Sequence, residues 1–368
     1  MATRRRQPPA TRHRNASPAP DTPTPLTLDE ATAMALGARS KRRRAVRPAL
    51  PSRARAETPS AASVALERRQ LRIAQRAQSA QRIDDYTAVM DLLKAHGVRA
   101  APAPGKRRAP RRGPKAPRAV MRPLQVFAEG DSWFDYPVPG FGGGIVPRLQ
   151  KLLGVPVLDL AKAGDEVRYM LGVEQRREII RQFTRGCPAG GPWDAMIFSG
   201  GGNDIVADPM ALWIRDYDPA LAPGDHVHAQ RFGAALAVVA AGYEDLIALR
   251  DRLSPATHLV FHTYDFAIPD GRGFCHLGPW LKPTLDLRGF PNDLVLRSAV
   301  VRAMLRQFAA MLGSLARPGS VTVIDGQGTL APVRDSWHNE LHPSKAGYDL
   351  FARRFRDALK AQFPDRLP

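Results

Sequence analysis

The chain has 368 residues and a formal net charge of +19 at pH 7, long enough for one large domain or two ordinary ones. Residues 1–120 hold 27 of the 54 Lys and Arg but only 8 of the 35 Asp and Glu, so the remainder of the chain is neutral. The sequence has no apolar run of the roughly 20 residues that a membrane helix needs, no apolar block typical of a secretory signal, and only two cysteines, Cys187 and Cys275. We therefore expect a cytoplasmic protein with reduced cysteines and no transmembrane segment, disulfide framework or metal site.

The basic N-terminal extension, residues 1–120, contains one segment of helical character. Residues 1–59 and 97–120 are dominated by Arg, Pro, Ala and Ser, and such segments cannot bury enough apolar surface to offset the entropy lost on ordering. We predict that they are disordered. The stretch near residues 61–95 lacks Pro and is followed by His-Gly, a helix stop signal, which predicts one or two helices with a partial apolar stripe.

From residue 121 onward, short apolar runs alternate with longer segments of helical period. Five runs are nearly continuous in hydrophobicity, as strands buried on both faces should be: QVFAEGD, VPVLDLA, AMIFSGG, THLVFHTY and SVTVIDG. Apolar residues spaced three, four or seven apart indicate amphipathic helices at about 231–252 and 294–315. The alternation predicts an α/β domain over residues 121–368, a three-layer α/β/α sandwich around a five-stranded parallel sheet. Its neutral charge predicts that this domain folds without the extension.

Several chemically useful residues follow the predicted strands. In open parallel sheets, functional groups gather on the loops that leave the carboxyl ends of the strands. Here those loops contain Gly130-Asp131-Ser132, Ala163-Gly164, Gly200 to Asp204 and, after the fifth strand, DSWHNELHPSKAGY. A serine, small glycines, an amide side chain and a histidine would therefore meet at one rim. Together they supply a nucleophile, a base and donors for a developing oxyanion, the parts of an acyl-transfer site.

In their order along the chain, these residues resemble the SGNH (GDSL-type) hydrolases, serine esterases and lipases with a flavodoxin-like α/β/α sandwich. The resemblance rests on Gly130-Asp131-Ser132, Gly164, Gly201 to Asp204 and His342-Pro343. It implies that Ser132 is the nucleophile and His342 the general base of a reaction on a small-molecule or lipid-like ester, without metal or cofactor. It also implies an oxyanion hole formed by the Ser132 backbone N–H, the Gly164 N–H and the Asn203 side chain.

The sequence departs from the family pattern at Trp133-Phe134, where a Leu commonly follows the serine, and at one position that matters more. The family places an aspartate three residues before the histidine, where this sequence has Asn339. An asparagine carbonyl can accept the Nδ1–H bond that orients a histidine, although without stabilising the imidazolium by charge. Asn339 could therefore serve, or Asp335 could reach His342 if the loop folds back, whereas Glu340 is expected to point elsewhere.

Other histidines compete with His342 for the role of base, namely His258, His262, His276 and His338. A histidine within a strand is more often a packed, hydrogen-bonded residue, which argues against the first two. His338 satisfies an Asp-x-x-His pattern with Asp335, but His342 is followed by the proline typical of the family. A neutral imidazole is required for general-base catalysis, so we expect the rate to fall as pH drops through about 6 to 7.

The sequence leaves three functions open. The first is a metal-free serine esterase, and the second is acyl transfer to an alcohol at the same site. The third is polyanion binding through the basic runs KRRRAVRP and GKRRAPRRGPKAPR, which could contact phosphates without sequence preference but lack aromatic residues for base stacking. The loop over residues 275–293, with Trp280 and several Leu, could wall an acyl pocket or be a packed connection.

Overall fold

The structure, a computed structural model, describes residues 24–40, 61–99, 122–274 and 278–367. The five predicted strands are confirmed and form one parallel sheet in the order β2-β1-β3-β4-β5. They are β1 Val126–Gly130, β2 Val157–Asp159, β3 Ala195–Ser199, β4 His258–His262 and β5 Val321–Ile324. This is the flavodoxin-like order, in which ligands bind beyond the carboxyl ends of the strands.

Helices connect the strands and cover both faces of the sheet. They are α1 Leu28–Ser40, α2 Ala61–His96, α3 Ile145–Leu153, α4 Val167–Met170, α5 Val173–Arg185, α6 Gly202–Ile205, α7 Ala229–Leu253, α8 Lys282–Leu287, α9 Leu294–Gly313 and α10 Lys345–Gln362. The helices predicted at about 231–252 and 294–315 are confirmed as α7 and α9. The predicted three-layer sandwich is therefore the fold of the domain.

The two faces of the sheet are packed by different helices. Successive side chains on a strand point to opposite faces, so Phe261 and His262 of β4 lie on opposite sides. The Phe261 ring lies 4.8 Å from the ring of Tyr243 in α7, whereas the His262 ring lies 5.4 Å from that of Phe355 in α10. Burial on both faces explains why the strands are nearly continuous in hydrophobicity.

One helix among the described residues, α7, is long and apolar enough to cross a membrane by length and composition. Its side chains that face the sheet are buried, including Phe232, Val239, Tyr243 and Leu246. A core helix of an α/β sandwich has the same apolar character.

The extension contributes two helices, of which α2 packs on the domain and α1 packs on α2. The helix predicted near residues 61–95 is confirmed as α2. Disorder predicted for residues 24–40 is wrong, because this segment forms α1, which packs on α2, buries Ala31 and pairs Leu26 with Val98 beyond the end of α2. Composition does not show such a tertiary partner. The other segments predicted to be disordered lie almost entirely outside the described residues, and both basic runs lie wholly outside them.

The C-terminal half of α2 is part of the hydrophobic core. Its side chains Tyr86, Met90 and Leu93 are buried, and the Tyr86 ring lies 5.4 Å from the ring of Trp193. The helix packs against β2, an edge strand of the sheet. A helix that covers an edge strand protects its unpaired backbone groups from pairing with other chains.

Arg82 links α2 to the loops at the carboxyl edge of the sheet. Its guanidinium donates to the backbone carbonyls of Asp159 and Ala161 at 3.0 Å and pairs with the Asp135 carboxylate at 2.7 Å. Asp135 donates its N–H to the carbonyl of Asp131, in the turn that holds Ser132. The extension therefore supports the loop that carries the predicted nucleophile.

We expect a chain that begins at residue 121 to be insoluble or unfolded. Burial of a large apolar side chain contributes about 1.5–3 kcal/mol, so losing Tyr86, Met90 and Leu93 removes an amount comparable with the roughly 5–15 kcal/mol that stabilises a whole domain. Soluble yield and thermal unfolding measure the effect. A chain that begins at residue 24 is the matched control and should unfold at the temperature of the full chain. A 121–368 chain with the same Tm would contradict this and support the division predicted at residue 120, which stays a prediction.

Candidate active site

The predicted nucleophile and base meet at the carboxyl edge of the sheet. Ser132 lies in the turn after β1, and its Oγ is 2.7 Å from Nε2 of His342. Ser132 is 8% exposed and His342 7% exposed, and both line the same cavity. The contact has the geometry in which a histidine can take the hydroxyl proton as a general base.

The turn that carries Ser132 is held in place by contacts between the ends of β1 and β3. The Asp131 N–H donates to the carbonyl of Ser199 at 3.1 Å, and the Asp131 carboxylate accepts the Trp133 N–H and the Ser199 hydroxyl, both at 2.9 Å. A Cβ at Gly130 would lie 2.7 Å from the Ser199 carbonyl oxygen, so only glycine allows the strands to approach this closely. The position of Ser132 is thus fixed by backbone and buried polar contacts.

A buried polar cluster lies beneath the turn. The Tyr264 hydroxyl donates to Asp131, and the Ser199 hydroxyl contacts Nε2 of His262 at 2.8 Å. Burial raises the pKa of Asp131 to about 6 and lowers the pKa of His262 to about 4, because the charged forms lose their hydration. His262 is therefore a neutral, packed histidine, as a strand position indicated, and it supports the turn from below.

Asn339 orients His342. Its Oδ1 lies 2.9 Å from Nδ1 of His342 and also accepts the backbone N–H groups of Leu341 and His342, at 3.0 and 2.9 Å. A flipped amide would direct its NH₂ group at these donors, so the contacts assign the oxygen to this position. His342 is consequently the Nδ1–H tautomer, which leaves a lone pair on Nε2 for the Ser132 hydroxyl.

A tyrosine that the sequence did not single out completes this arrangement. Asn339 Nδ2 donates to the Tyr136 hydroxyl at 3.1 Å, and the oxygen of that hydroxyl is hydrogen-bonded to Nδ1 of His338 at 2.6 Å. The Tyr136 ring also lies 4.5 Å from the His342 ring. His338 therefore lies behind Asn339 and supports it, whereas the contact with Ser132 belongs to His342. Tyr136 lies only four residues after Ser132, but nothing in the local sequence links it to Asn339.

Asp335 does not reach His342. It lies in the short 3₁₀ turn Arg334–Ser336, is exposed, and has no hydrogen bond or ion pair with His342. The loop does not fold back, because the chain runs from this turn directly into the Trp337–Pro343 bridge. The structure thus brings Asn339, and not Asp335, to the histidine, and the catalytic roles of these residues stay predictions.

Burial lowers the pKa of His342 to about 3, with a further lowering from His338. The imidazolium is disfavoured because the site is shielded from water and its orienting partner is a neutral amide. His342 is therefore neutral, and able to accept a proton, at pH 7 and well below it. This differs from the sequence expectation that the base would titrate between about pH 6 and 7.

Two of the three predicted oxyanion donors are backbone N–H groups without a partner. Neither the Ser132 N–H nor the Gly164 N–H has an acceptor among the described residues. Gly164 has φ +84°, and a Cβ there would meet nothing within 4 Å, so left-handed backbone and not crowding favours glycine. Asn203 donates one Nδ2 hydrogen to the carbonyl of Asp165 at 2.9 Å, which fixes its amide beside the Gly164 loop and leaves a second hydrogen.

A narrow apolar cavity opens beside Ser132 and His342. Its space, counted as the volume open to the centre of a water molecule, is about 40 Å³. The apolar side chains that line it include Ile205, Val206, Leu281, Val301, Met304 and Leu305. Leu281 belongs to the loop over 275–293, and Trp280 lies edge-on to the His342 ring at 5.7 Å. Leu281 therefore forms part of the cavity wall, so this part of the loop is not only a packed connection.

Potential metal ligands do not gather in the part of the chain that the structure describes. No group of three or more His, Cys, Asp or Glu side chains there could hold a metal ion. Cys187 is buried, with its Sγ 3.5 Å from the Tyr86 hydroxyl, and Cys275 lies outside the described residues.

We expect Asn339→Asp to keep activity within about tenfold of the wild type, because a carboxylate oxygen can accept the same three N–H bonds and adds charge beside the imidazolium. Asn339→Ala should cost on the order of 10²-fold in kcat, since it leaves Nδ1–H without a buried acceptor. Asp335→Ala should lower kcat less than tenfold. The rate of ester hydrolysis by each of the three variants measures these effects. A loss of several hundredfold in Asp335→Ala, with an unchanged Tm, would contradict the role given to Asn339.

Comparison with known proteins adds one strong match. A model of the GDSL-like lipase/acylhydrolase family matches residues 128–350, more than half of the chain. No curated protein matches the chain. In fold it is similar to the lipase Lip_vut3 from a goat rumen metagenome, with 19% identity, a TM-score of 0.42, and coverage of 64% of this chain and 97% of that one.

Two further solved structures are similar in the same way. The extracellular lipase from Streptomyces rimosus is 17% identical, with a TM-score of 0.37 over 64% of this chain and 99% of that chain. The phospholipase A1 from Streptomyces albidoflavus NA297 is 15% identical, also with a TM-score of 0.37 and the same coverage. Similarities this distant carry no argument about activity, and none of them supports polyanion binding.

Proposed function

Because the chain belongs to the GDSL-like lipase/acylhydrolase family, we propose that this ester hydrolase is a serine carboxylesterase that forms an acyl-enzyme on Ser132. One observation carries the proposal: the 2.7 Å contact between Ser132 Oγ and His342 Nε2 at the mouth of an apolar cavity. A serine hydroxyl is a weak nucleophile at its free pKa, and this contact supplies the base that activates it.

The proposed reaction has two half-reactions. Ser132 Oγ attacks the ester carbonyl carbon while its proton passes to His342 Nε2, which gives a tetrahedral intermediate with a negative oxygen. The C–O bond to the alcohol then breaks, and the leaving alkoxide takes the proton from His342. A water molecule attacks the acyl-enzyme in the same manner and releases the carboxylic acid and Ser132.

The developing oxyanion would be stabilised by the donors at this edge of the sheet. The Ser132 and Gly164 N–H groups have no acceptor among the described residues, so they need not break a bond within the protein to bind the oxyanion. Asn203 is held by its bond to Asp165 and would contribute its second hydrogen. Donors that are already in place cost no reorganisation when charge develops.

The cavity supports a preference for short acyl groups. A water molecule needs about 10–15 Å³ of volume counted in this way, so about 40 Å³ accommodates roughly three groups of that size. Its lining is mostly apolar, which suits a hydrocarbon chain and excludes a charged one. An acyl chain of about two to four carbons fits this space, whereas a long fatty acyl chain would require the wall to move.

A chain-length series of p-nitrophenyl esters tests both parts of the proposal. We expect the acetate and butyrate esters to give the highest kcat/KM, and the octanoate ester to fall by at least tenfold because its chain exceeds the cavity. Highest turnover on the octanoate or palmitate ester would overturn the short-chain specificity while leaving the esterase intact. Absence of turnover on every ester, in protein with a cooperative thermal transition, would overturn the function itself.

A further inference from the structure

Glu340 is a fully buried carboxylate that the proposed reaction does not use. It stands between Asn339 and His342 in the sequence, but its side chain points away from both and is 0% exposed. Among the described residues, no Lys or Arg side chain forms an ion pair with it. A buried carboxylate without a paired cation is costly unless hydrogen bonds compensate it.

Four backbone N–H groups supply that compensation. Oε1 accepts from Gly271 at 2.9 Å and from Lys282 at 3.1 Å, and Oε2 accepts from Trp280 at 2.6 Å and from Leu281 at 2.8 Å. The pKa of Glu340 is raised, because the effect of burial exceeds the lowering by these four bonds. Since both oxygens face donors only, a proton on either would displace a bond, so the geometry favours the charged form.

The four donors lie in two described stretches after β4, Gly271 in the first and Trp280, Leu281 and Lys282 in the second, and the second stretch closes one side of the cavity. Leu281 lines the cavity and is 1% exposed, and Trp280 lies edge-on to His342. The Glu340 backbone N–H also donates to the carbonyl of Arg272 at 3.2 Å. The Glu340 side chain thus binds Gly271 and residues 280–282, and it connects them to the loop that carries His342.

We propose that Glu340 is a positioning residue that sets acyl specificity, by holding Leu281 of the cavity wall, and Trp280 beside the His342 ring, at a fixed distance from Ser132. The inference rests on the proposed esterase function. A rigid wall keeps the cavity short, and a loosened wall admits longer chains. Chain-length discrimination therefore depends on a carboxylate that never touches the substrate.

Glu340→Gln tests this, because it keeps the size of the side chain but turns an NH₂ group toward two of the N–H donors. We expect the ratio of kcat/KM for acetate over octanoate esters to fall on the order of tenfold, through a lower KM for octanoate, while kcat for acetate changes little. Hydrogen exchange of peptides over residues 278–285 should quicken, while that of β1 and β3 does not. Exchange gives a readout that is independent of activity.

Two further variants separate specificity from stability. Asp194→Asn is the matched control, since Asp194 accepts the Gln125 N–H at 2.7 Å and pairs with Arg366 at the opposite edge of the sheet. It should lower Tm without changing the chain-length ratio. Leu281→Ala opens the wall directly and should reproduce the specificity of Glu340→Gln, which keeps the test informative if the latter fails to fold.

The outcomes are distinguishable. An unchanged chain-length ratio in Glu340→Gln, or in Leu281→Ala where the former does not fold, overturns the inference and leaves the esterase function standing. A ratio that changes equally in Asp194→Asn also overturns it, because the effect would then be one of general stability. If the wild type hydrolyses no ester, the proposed function fails, and unchanged exchange over residues 278–285 would also remove the structural part of the inference.

Discussion

Ser132→Ala is expected to abolish ester hydrolysis while leaving the fold intact. The substitution removes one hydroxyl whose contact is with His342, so the bonds of Asp131 that hold the turn persist. Loss of a serine nucleophile costs on the order of 10³-fold or more in kcat, and the residual rate comes from the oxyanion donors and substrate binding. Turnover of p-nitrophenyl acetate and labelling by a fluorophosphonate, which modifies activated serines, measure the loss.

Ser199→Ala is the matched control for this variant. Ser199 is also a buried serine at the carboxyl end of a strand, but its hydroxyl bonds Asp131 and contacts His262 within the cluster beneath the turn. It should lower the stability by about 1–3 kcal/mol, because buried partners lose a hydrogen bond, and should still be labelled by the fluorophosphonate. Wild-type turnover in Ser132→Ala, or labelling lost only in Ser199→Ala, would end the assignment of Ser132 as nucleophile.

The fold of the domain could be predicted from the sequence because its strands are buried on both faces. Runs such as AMIFS in β3 and HLVFH in β4 have no polar alternation, and the helical periods between strands imply parallel crossovers. The packing of α2 on the domain could not be predicted in the same way. An amphipathic stripe shows that a helix has a buried side but not what covers it, and the contact of Tyr86 with Trp193 joins residues more than a hundred positions apart.

The site was predictable where it depends on topology and unpredictable where it depends on loop conformation. Ser132, Asn203 and the His342 loop follow strand ends, and parallel strands bring those ends to one edge. The choice between Asn339 and Asp335 depends on whether one loop folds back, which spacing alone does not decide. Tyr136 and the donors of Glu340 lie 58 or more residues away from their partners in the sequence, and no local pattern indicates such pairs.

His342→Ala is expected to cost on the order of 10³-fold or more in kcat, since it leaves Ser132 without a base. His338→Ala should cost less than tenfold, because His338 contacts Tyr136 and lies behind Asn339. Turnover of p-nitrophenyl acetate by the two variants measures this ranking. The reverse ranking, in variants that remain folded, would transfer the role of base to His338.

The pH dependence of the wild type follows from the same histidine. General-base catalysis requires neutral His342, and its pKa is lowered to about 3, so the neutral form is present above that value and is lost only as pH falls through it. We therefore expect protonation of His342 to cause no loss of kcat/KM between pH 7 and 5, unlike that of an unperturbed imidazole with a pKa near 6.5. Because repulsion from His338 contributes to the lowered pKa of His342, His338→Ala should move the acid limb of the pH profile to higher pH.

Circular dichroism at each pH separates protonation of the base from unfolding. A wild-type rate that halves near pH 6.5 with the fold intact would show that water reaches His342 and that burial does not hold it neutral.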